Sequence, residues 1–485
     1  MSDKPNTRIS DELALHYHLM HPGGDSAPGD PNAAFYLDGL YHLHYILRHP
    51  WRDGVSFSFV HVTSPDMLHW AWQPTKLQPA FTGHGMFSGT GFLTKEGQPA
   101  IIYHGQASGR NQIAIAQDNR LSAWENPYAV DPKTTAGAEP NMYHWDPDCF
   151  QIDDTYYAIS GGPNPPLIKS RDLKNWTLVG DFLRHELPDV AIGEDISCPN
   201  FFPLGDKWML LCISHPFGCR YYLGYWDAEA EQFVPERHAR MNWRRPAQPI
   251  YETNYRDFFA PESVLTPDGR RVMWAWLTTL HEEINLKSIQ SLPRELSLAN
   301  DGSLHMRPLR ELETLYDGEP LILRNITVTP PAQPHSSAAT QQIATLESDA
   351  LEIRITVARE QAQRKRFGVQ LFANDQYAGL PILLHPETGT LRVGEAEAPF
   401  AAADLAPEED LELRIFIDKY LVEVFANERQ AVVTAHMDYQ AASGLKVYTY
   451  GGPTTIQSVT IQRMKSANQG FFQARESRIW QPQTS

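Results

Sequence analysis

The chain repeats one short plan five times. An apolar stretch runs into a two-residue turn of glycine or acidic type, and a second apolar, aromatic-rich stretch follows. The copies are residues 34–45 around Asp38-Gly39, 91–103 around Glu96-Gly97, 149–159 around Asp153-Asp154, 201–212 around Gly205-Asp206, and 263–277 around Asp268-Gly269. Each reads as a β-hairpin, because such turns supply the left-handed backbone that a tight hairpin needs and the flanks are strand-forming. The second turn residue falls at 39, 97, 154, 206 and 269. A hairpin recurring every 50–60 residues or so marks the blades of a propeller.

A second marker recurs in step with the first. Residues 64–70 and 170–176 share the pattern S-x-D-[LM]-x-x-W, and Leu121-Ser122-Ala123-Trp124 keeps its second half. These segments fall where the outer strands of four-stranded blades belong. The expectation is therefore an all-β chain, with a five-bladed propeller over residues 1–315. Residues 316–335 include Pro320, Pro330, Pro331 and Pro334 and read as a linker or crossing segment. Residues 336–465 alternate apolar and polar positions at period two, notably at 351–357, 411–417, 420–426 and 431–434, which predicts a β-sandwich. The Gln- and Ser-rich residues 466–485 read as a tail that lies on the surface or frays.

Composition excludes several classes of partner. With 41 Lys+Arg against 58 Asp+Glu the net charge is −17, which argues against nucleic acid and against an anionic membrane. No apolar run approaches the roughly 18–20 residues that cross a bilayer, and the polar N-terminus lacks a signal-type core. A cytoplasmic location is expected. Cys149, Cys198, Cys212 and Cys219 lack metal-type spacing and read as small buried hydrophobes. His16-x-His18 and His42-x-His44 each put two imidazoles on one strand face, but without a third ligand no metal is expected, and no cofactor. Oligomeric state is not legible.

Carboxylates recur at the start of the first strand of successive repeats. The segments are Gly29-Asp30-Pro31-Asn32, Phe87-Ser88-Gly89, Trp145-Asp146-Pro147, Gly193-Glu194-Asp195-Ile196-Ser197-Cys198-Pro199-Asn200 and Asp257-Phe258-Phe259-Ala260. In a propeller these positions converge on the axis. Convergent carboxylates with no phosphate loop and no serine elbow suit glycosyl transfer to water, which takes an ionised carboxylate as nucleophile and a protonated group as acid.

The same segments resemble glycoside hydrolase family 32, the invertase, levanase and inulinase group. Its first motif stands as Gly29-Asp30-Pro31-Asn32 followed by residues 36–43, its F-S-G motif as Phe87-Ser88-Gly89, and its R-D-P motif as Trp145-Asp146-Pro147. Its E-C-P-D-F-F motif stands as residues 197–202, and residues 293–296 and 422–427 also look like family signatures. The resemblance implies a five-bladed propeller with a C-terminal β-sandwich, and a retaining, exo-acting hydrolase of β-fructofuranosides or related furanosides. It implies Asp30 as nucleophile and Asp146 as transition-state stabiliser. The family's acid/base Glu directly precedes Cys-Pro, where this chain has Ser197. Glu194 is the expected replacement and Asp195 the alternative. Asn32, Phe87, Ser88, Trp145, His44 and Asp257 are expected to bind substrate, a small oligosaccharide.

Three polar groups that line the family's sugar pocket are replaced. Gly29 stands for Asn, Ile46 for Gln and Trp145 for Arg. Other readings therefore stand beside the first: a propeller glycosidase or phosphorylase for another sugar, such as an arabinofuranoside, or a catalytically silent glycan-binding protein.

Overall fold

The structure, a computed structural model, describes residues 9–23, 27–125, 128–184, 187–188, 190, 193–244, 258–277, 289–330, 339–363, 367–450 and 452–485. All five hairpins form. Their inner strand pairs are Ala27–Leu37 with Leu40–Trp51, Met86–Leu93 with Pro99–Gly105, Asp148–Ile152 with Thr155–Ile159, Ser197–Leu204 with Lys207–Ser214, and Phe259–Leu265 with Arg271–Leu277. At the first turn Asp38 and Gly39 both take positive φ, 47° and 86°, the conformation that matches the right-handed twist of the paired strands.

Each hairpin is the inner half of an antiparallel blade. The innermost strands abut in cyclic order, and that of blade five closes against that of blade one. The S-x-D-[LM]-x-x-W segments are the turns that lead into the outermost strands. Asp66 Oδ1 accepts the N–H groups of Leu68 at 3.0 Å and His69 at 2.9 Å. Asp172 Oδ1 takes those of Lys174 at 3.0 Å and Asn175 at 2.8 Å. The following Met67 and Leu173, like Leu121, sit in the left-handed region, so one turn recurs in three blades.

The linker expectation is corrected. Tyr316–Val328 is a strand, paired with Thr454–Met464 in the six-stranded sheet of the sandwich. Pro320 lies in the stretch between Asp317 and Leu321 where the ladder slips register, which is where a residue without an N–H is tolerated. The second sheet has seven strands. One of them, Trp243–Arg244, arrives from the chain between blades four and five and pairs with Ala396–Pro399. The tail is ordered on blade one: it forms the helix Gln469–Ser477, and Trp480 is buried with its carbonyl accepting the Thr75 hydroxyl at 2.5 Å. Among the described residues no helix is long and apolar enough to cross a membrane.

A dry ionic cluster joins the two domains. Glu423 of the sandwich meets Arg294 of blade five at 2.9 Å, and His18 bridges Asp418 at 2.8 Å and Glu423 at 3.4 Å; all four side chains are fully buried. Arg294 also lies over the Phe258 ring at 4.1 Å. The stretches 293–296 and 422–427, read separately in the sequence, are thus two halves of one contact. His16 bonds instead to Ser466 and Asp349, so the His16-x-His18 pair belongs to domain packing.

Removing one partner of such a pair leaves an uncompensated buried charge. Glu423→Gln should lower stability by about 3–5 kcal/mol, read from the shift of a urea unfolding curve. Burial alone would depress the His18 ring, but its bonds to Asp418 and Glu423 outweigh it and raise the ring to about 9. That stabilisation is complete below the unfolded value of 6.5 and is lost as pH rises through about 9. Despite their burial, Asp418 and Glu423 are held below their ordinary values by His18 and Arg294. Their contribution is present above the ordinary carboxylate values and is lost on acidification. Calorimetric melting temperature should therefore decline from pH 6.5 towards 9, and His18→Gln should flatten that limb.

Candidate active site

The backbone that builds the site is irregular at one depth. The inner ladders slip register between Pro28 and Pro31, Met86 and Gly89, Ser197 and Asn200, and Phe259 and Pro261. In blades three, four and five the residue at this level, Asp146, Cys198 or Ala260, takes positive φ of 41° to 48°. Bulges of this kind re-aim a side chain out of the pleat. In blade two the bulge requires glycine, since a Cβ on Gly89 would stand 2.0 Å from the Ile102 carbonyl oxygen.

Two rings of side chains result, spaced two residues apart on each strand. The upper ring holds Asp30, Ser88, Asp146, Cys198 and Ala260. The lower ring holds Asn32, Thr90, Asp148, Asn200 and Glu262. Hydrogen bonds tie neighbouring blades at this lower level: Asn32 Oδ1 accepts from Gly89 N–H at 2.8 Å, Thr90 donates to Asp148 at 2.6 Å, and Asn200 donates to Glu262 at 3.0 Å. The gap beside Pro147, Pro199 and Pro261 measures about 10 Å³, too little for more than a single water. Beyond it the axis widens into a cavity of about 600 Å³ lined by Phe35, Phe92, Phe150 and Arg271, among others. Among the described residues the level below Asp30 and Asp146 is thus a floor, too narrow to pass a sugar.

The upper ring brings Asp30 and Asp146 together around one sulfur. The Cys198 thiol lies 3.9 Å from Asp30 Oδ2 and 3.6 Å from Asp146 Oδ2, and its N–H donates to Asp146 Oδ2 at 3.2 Å. The Ser88 hydroxyl donates to Asp30 Oδ2 at 2.5 Å. Burial lifts the Asp30 carboxyl to about 6; the Ser88 hydroxyl pulls it down and the Asp146 charge pushes it up. Burial also raises Asp146, while the Cys198 N–H and the charge of His215 hold it back. Cys198 was expected to be a packing residue; its place in the ring is visible only once the bulge is.

The other expected residues divide. Phe87 and Trp145 stand at the entrance in an aromatic string, with ring centroids 4.4 Å from Phe57 to Phe87, 5.9 Å from Phe87 to His104 and 4.7 Å from His104 to Trp145. Trp145 is 53% exposed, a platform on which a sugar ring can stack. Asn32 is buried, and its amide is spent on the Asp30 carbonyl and the Gly89 N–H, so it frames the pocket rather than lining it. His44 is corrected: it is buried inside blade one, bonded to the Ala33 carbonyl and stacked on His61 at 4.6 Å. Asp257 lies outside the described residues.

Glu194 is corrected as well. Its carboxylate is 1% exposed, and its two oxygens are held by Arg220 and Arg240. A carboxylate held by two guanidinium groups forms strong charge-assisted hydrogen bonds, which fix it away from Asp30 and Asp146. Asp195 instead faces the entrance side, 17% exposed, and bonds to Ser197 at 2.7 Å and to His215 at 2.5 Å. Two of the replaced family positions adjoin: a Cβ on Gly29 would stand 3.6 Å from Ile46 and 3.8 Å from the Trp276 ring, and the Gln290 amide donates to the Gly29 carbonyl at 3.0 Å.

A family description, "Glycosyl hydrolases family 32 N-terminal domain", fits residues 26–308, and "Glycosyl hydrolases family 32 C terminal" fits residues 313–463. The chain belongs to glycosyl hydrolase family 32. It is a glycoside hydrolase by that membership. Raffinose invertase of Escherichia coli is 26% identical, over 92% of this chain and 94% of its own length. Sucrose-6-phosphate hydrolase of Escherichia coli is 26% identical, over 94% and 95%. The levanase of Bacillus subtilis (strain 168) is 26% identical, over 90% of this chain and 68% of its own. Fructan 1-exohydrolase IIa from Cichorium intybus shares the fold, with a TM-score of 0.73 at 18% identity over 94% of this chain and 98% of that one.

Of the groups that act on the Asp30 carboxyl besides its burial, the Ser88 hydroxyl can be removed cleanly. Ser88→Ala deletes a hydrogen bond that favours the carboxylate, so the Asp30 carboxyl should rise further above about 6. The acid limb of kcat/KM against pH should move upward in the variant, with the alkaline limb unchanged.

Proposed function

We propose that this protein is a retaining, exo-acting hydrolase that releases terminal β-fructofuranosyl units from small saccharides. The observation that carries the reading is the upper ring, which brings two acidic side chains, Asp30 and Asp146, to one thiol at the propeller axis. A closed floor admits one chain end and leaves the rest of the saccharide at the mouth, which favours release of a single terminal sugar. The relatives' names, an invertase, a sucrose-6-phosphate hydrolase and a levanase, support a fructosyl unit as the part recognised.

Asp30 is proposed as the nucleophile. Its ionised form attacks the anomeric carbon as the glycosidic bond breaks, giving a glycosyl ester that water then opens, so two inversions give net retention. The Ser88 hydroxyl holds the attacking carboxylate in place. Asp146 lies close enough to share Cys198 with it, and it binds the sugar hydroxyls while offsetting the positive charge that develops on the ring. The acid limb of kcat/KM is expected near pH 6, where Asp30 gains its proton.

The replacement of two family amides by Gly29 and Ile46 favours a second reading, a related furanoside. A lost partner of that kind costs about 1 kcal/mol or more. Initial rates on sucrose, sucrose-6-phosphate, raffinose, short fructans and aryl arabinofuranosides separate the readings. A fructoside should turn over fastest, and NMR should show the retained anomer first. Asp30→Asn should lower kcat on the order of 10⁴-fold with the fold intact by circular dichroism. Turnover of arabinofuranosides alone would replace the substrate, and sugar binding with no turnover would replace the activity.

A further inference from the structure

We infer that His215, held by Asp195, is the general acid/base of this enzyme. The inference rests on the reading of Asp30 as nucleophile and goes beyond it. Its starting point is the slot that the family fills with Glu and this chain fills with Ser197, a side chain that cannot serve as an acid near neutral pH.

Ser197 leads to His215 by two hydrogen bonds. Its hydroxyl donates to Asp195 Oδ2 at 2.7 Å, and the same oxygen meets His215 Nδ1 at 2.5 Å. The His215 N–H donates to Asp195 Oδ1 at 2.8 Å, so both oxygens of Asp195 hold this one residue. The strand register explains the meeting. Ser197 pairs with Ile213 across the inner ladder of blade four, so two residues further along each chain Asp195 and His215 face each other. That end of the ladder is the entrance side, since Asn200 and the lower ring lie in the opposite direction.

The surroundings of His215 suit proton transfer to a leaving group. Its side chain is 54% exposed, at the end of the blade-four ladder beyond the upper ring. Its ring stands edge-on to Phe259 at 5.9 Å, the residue before Ala260 of the upper ring. Its charge acts on Asp146, and its partner Asp195 also holds Ser197, the neighbour of Cys198 in the upper ring. Asp195 is itself unsuited to be the acid: although burial opposes ionisation, the bonds from His215 and Ser197 hold its carboxyl at about 2. The Asp195 carboxylate on Nδ1 orients the ring, and the proposed proton transfer runs through the other ring nitrogen, Nε2. Asp195 is thus a positioning residue.

The steps balance. In the first, the imidazolium gives its Nε2 proton to the glycosidic oxygen as the bond to the anomeric carbon breaks and Asp30 bonds to that carbon. The electron pair of the broken bond stays on the leaving oxygen, which departs as a neutral alcohol. In the second, neutral His215 takes a proton from water as the water oxygen bonds to the anomeric carbon. The ester bond breaks, its pair returns to Asp30, and the imidazolium is restored.

Leaving-group dependence tests the assignment. His215→Asn keeps an N–H for Asp195 and loses the titrating ring. On sucrose, whose leaving alcohol needs a proton, kcat/KM should fall by about 10²–10⁴-fold. On a nitrophenyl β-fructofuranoside, whose leaving group needs none, the loss should be tenfold or less. Azide should then restore turnover of the aryl substrate by attacking the ester without base help, giving a fructosyl azide. Asp195→Asn should show the same split between substrates to a smaller degree. An equal loss on both substrates, or no loss, overturns the role of His215. Asp30→Asn separates the two claims: it should abolish turnover of both substrates. If it does not, the reading of the pocket fails whatever His215 does. A wild-type protein that cleaves neither substrate removes both.

Discussion

The inner strand pairs slip register at a common depth in blades one, two, four and five, and blade three reaches the same level with Asp146 in the left-handed region. A regular ladder would send alternate side chains into the blade cores on either side. The bulge instead turns one residue per blade toward the axis, and five blades then supply a pocket. Everything chemical in the molecule depends on that irregularity. It sets Asp30 beside Asp146, puts the Cys198 sulfur between them, and requires glycine at position 89, where the Ile102 carbonyl leaves no room for a Cβ.

The lower ring gives those bulges something to rest on. Its hydrogen bonds run between neighbouring blades, from Asn32 to Gly89, from Thr90 to Asp148 and from Asn200 to Glu262. They close the floor in the same stroke as they tie the blades together. The sandwich contributes at a distance. Arg294 and Glu423 neutralise each other in a dry contact at the edge of blade five, so the second domain braces the blade whose innermost strand completes the ring.

Family membership and individual chemistry part company at two places in this chain. Asp30 and Asp146, the proposed nucleophile and stabiliser, keep their places, although Gly29 and Trp145 replace the residues before them. The acid/base motif and part of the sugar wall are not kept. In blade four, serine replaces glutamate, and the nearby carboxylates divide into a sealed ion pair and a histidine-bound aspartate. In blade one, Ile46 and Trp276 approach Gly29 where the resemblance implies amides. Both changes lie beside the ring that holds Asp30 and Asp146.

Local chemistry in the sequence was enough to determine the number of blades, their order, the five hairpins and the positions of Asp30, Ser88 and Asp146. Turn type and strand alternation depend on residues within a few positions of one another, so they can be read without a partner. It was not enough for the strand at Tyr316–Val328, where prolines suggested a linker and pairing with Thr454–Met464 overrode them. Nor was it enough for His44, which shares a face with pocket residues on paper but is claimed by His61 inside the blade. The assignment of Glu194 failed for the same reason, because the arginines that seal it come from two other strands. Which carboxylate meets a guanidinium and which meets an imidazole is decided by residues about 20 to 50 positions away, brought across a ladder or a blade. Only the tertiary structure holds that information, since burial and charge compensation are properties of neighbours in space.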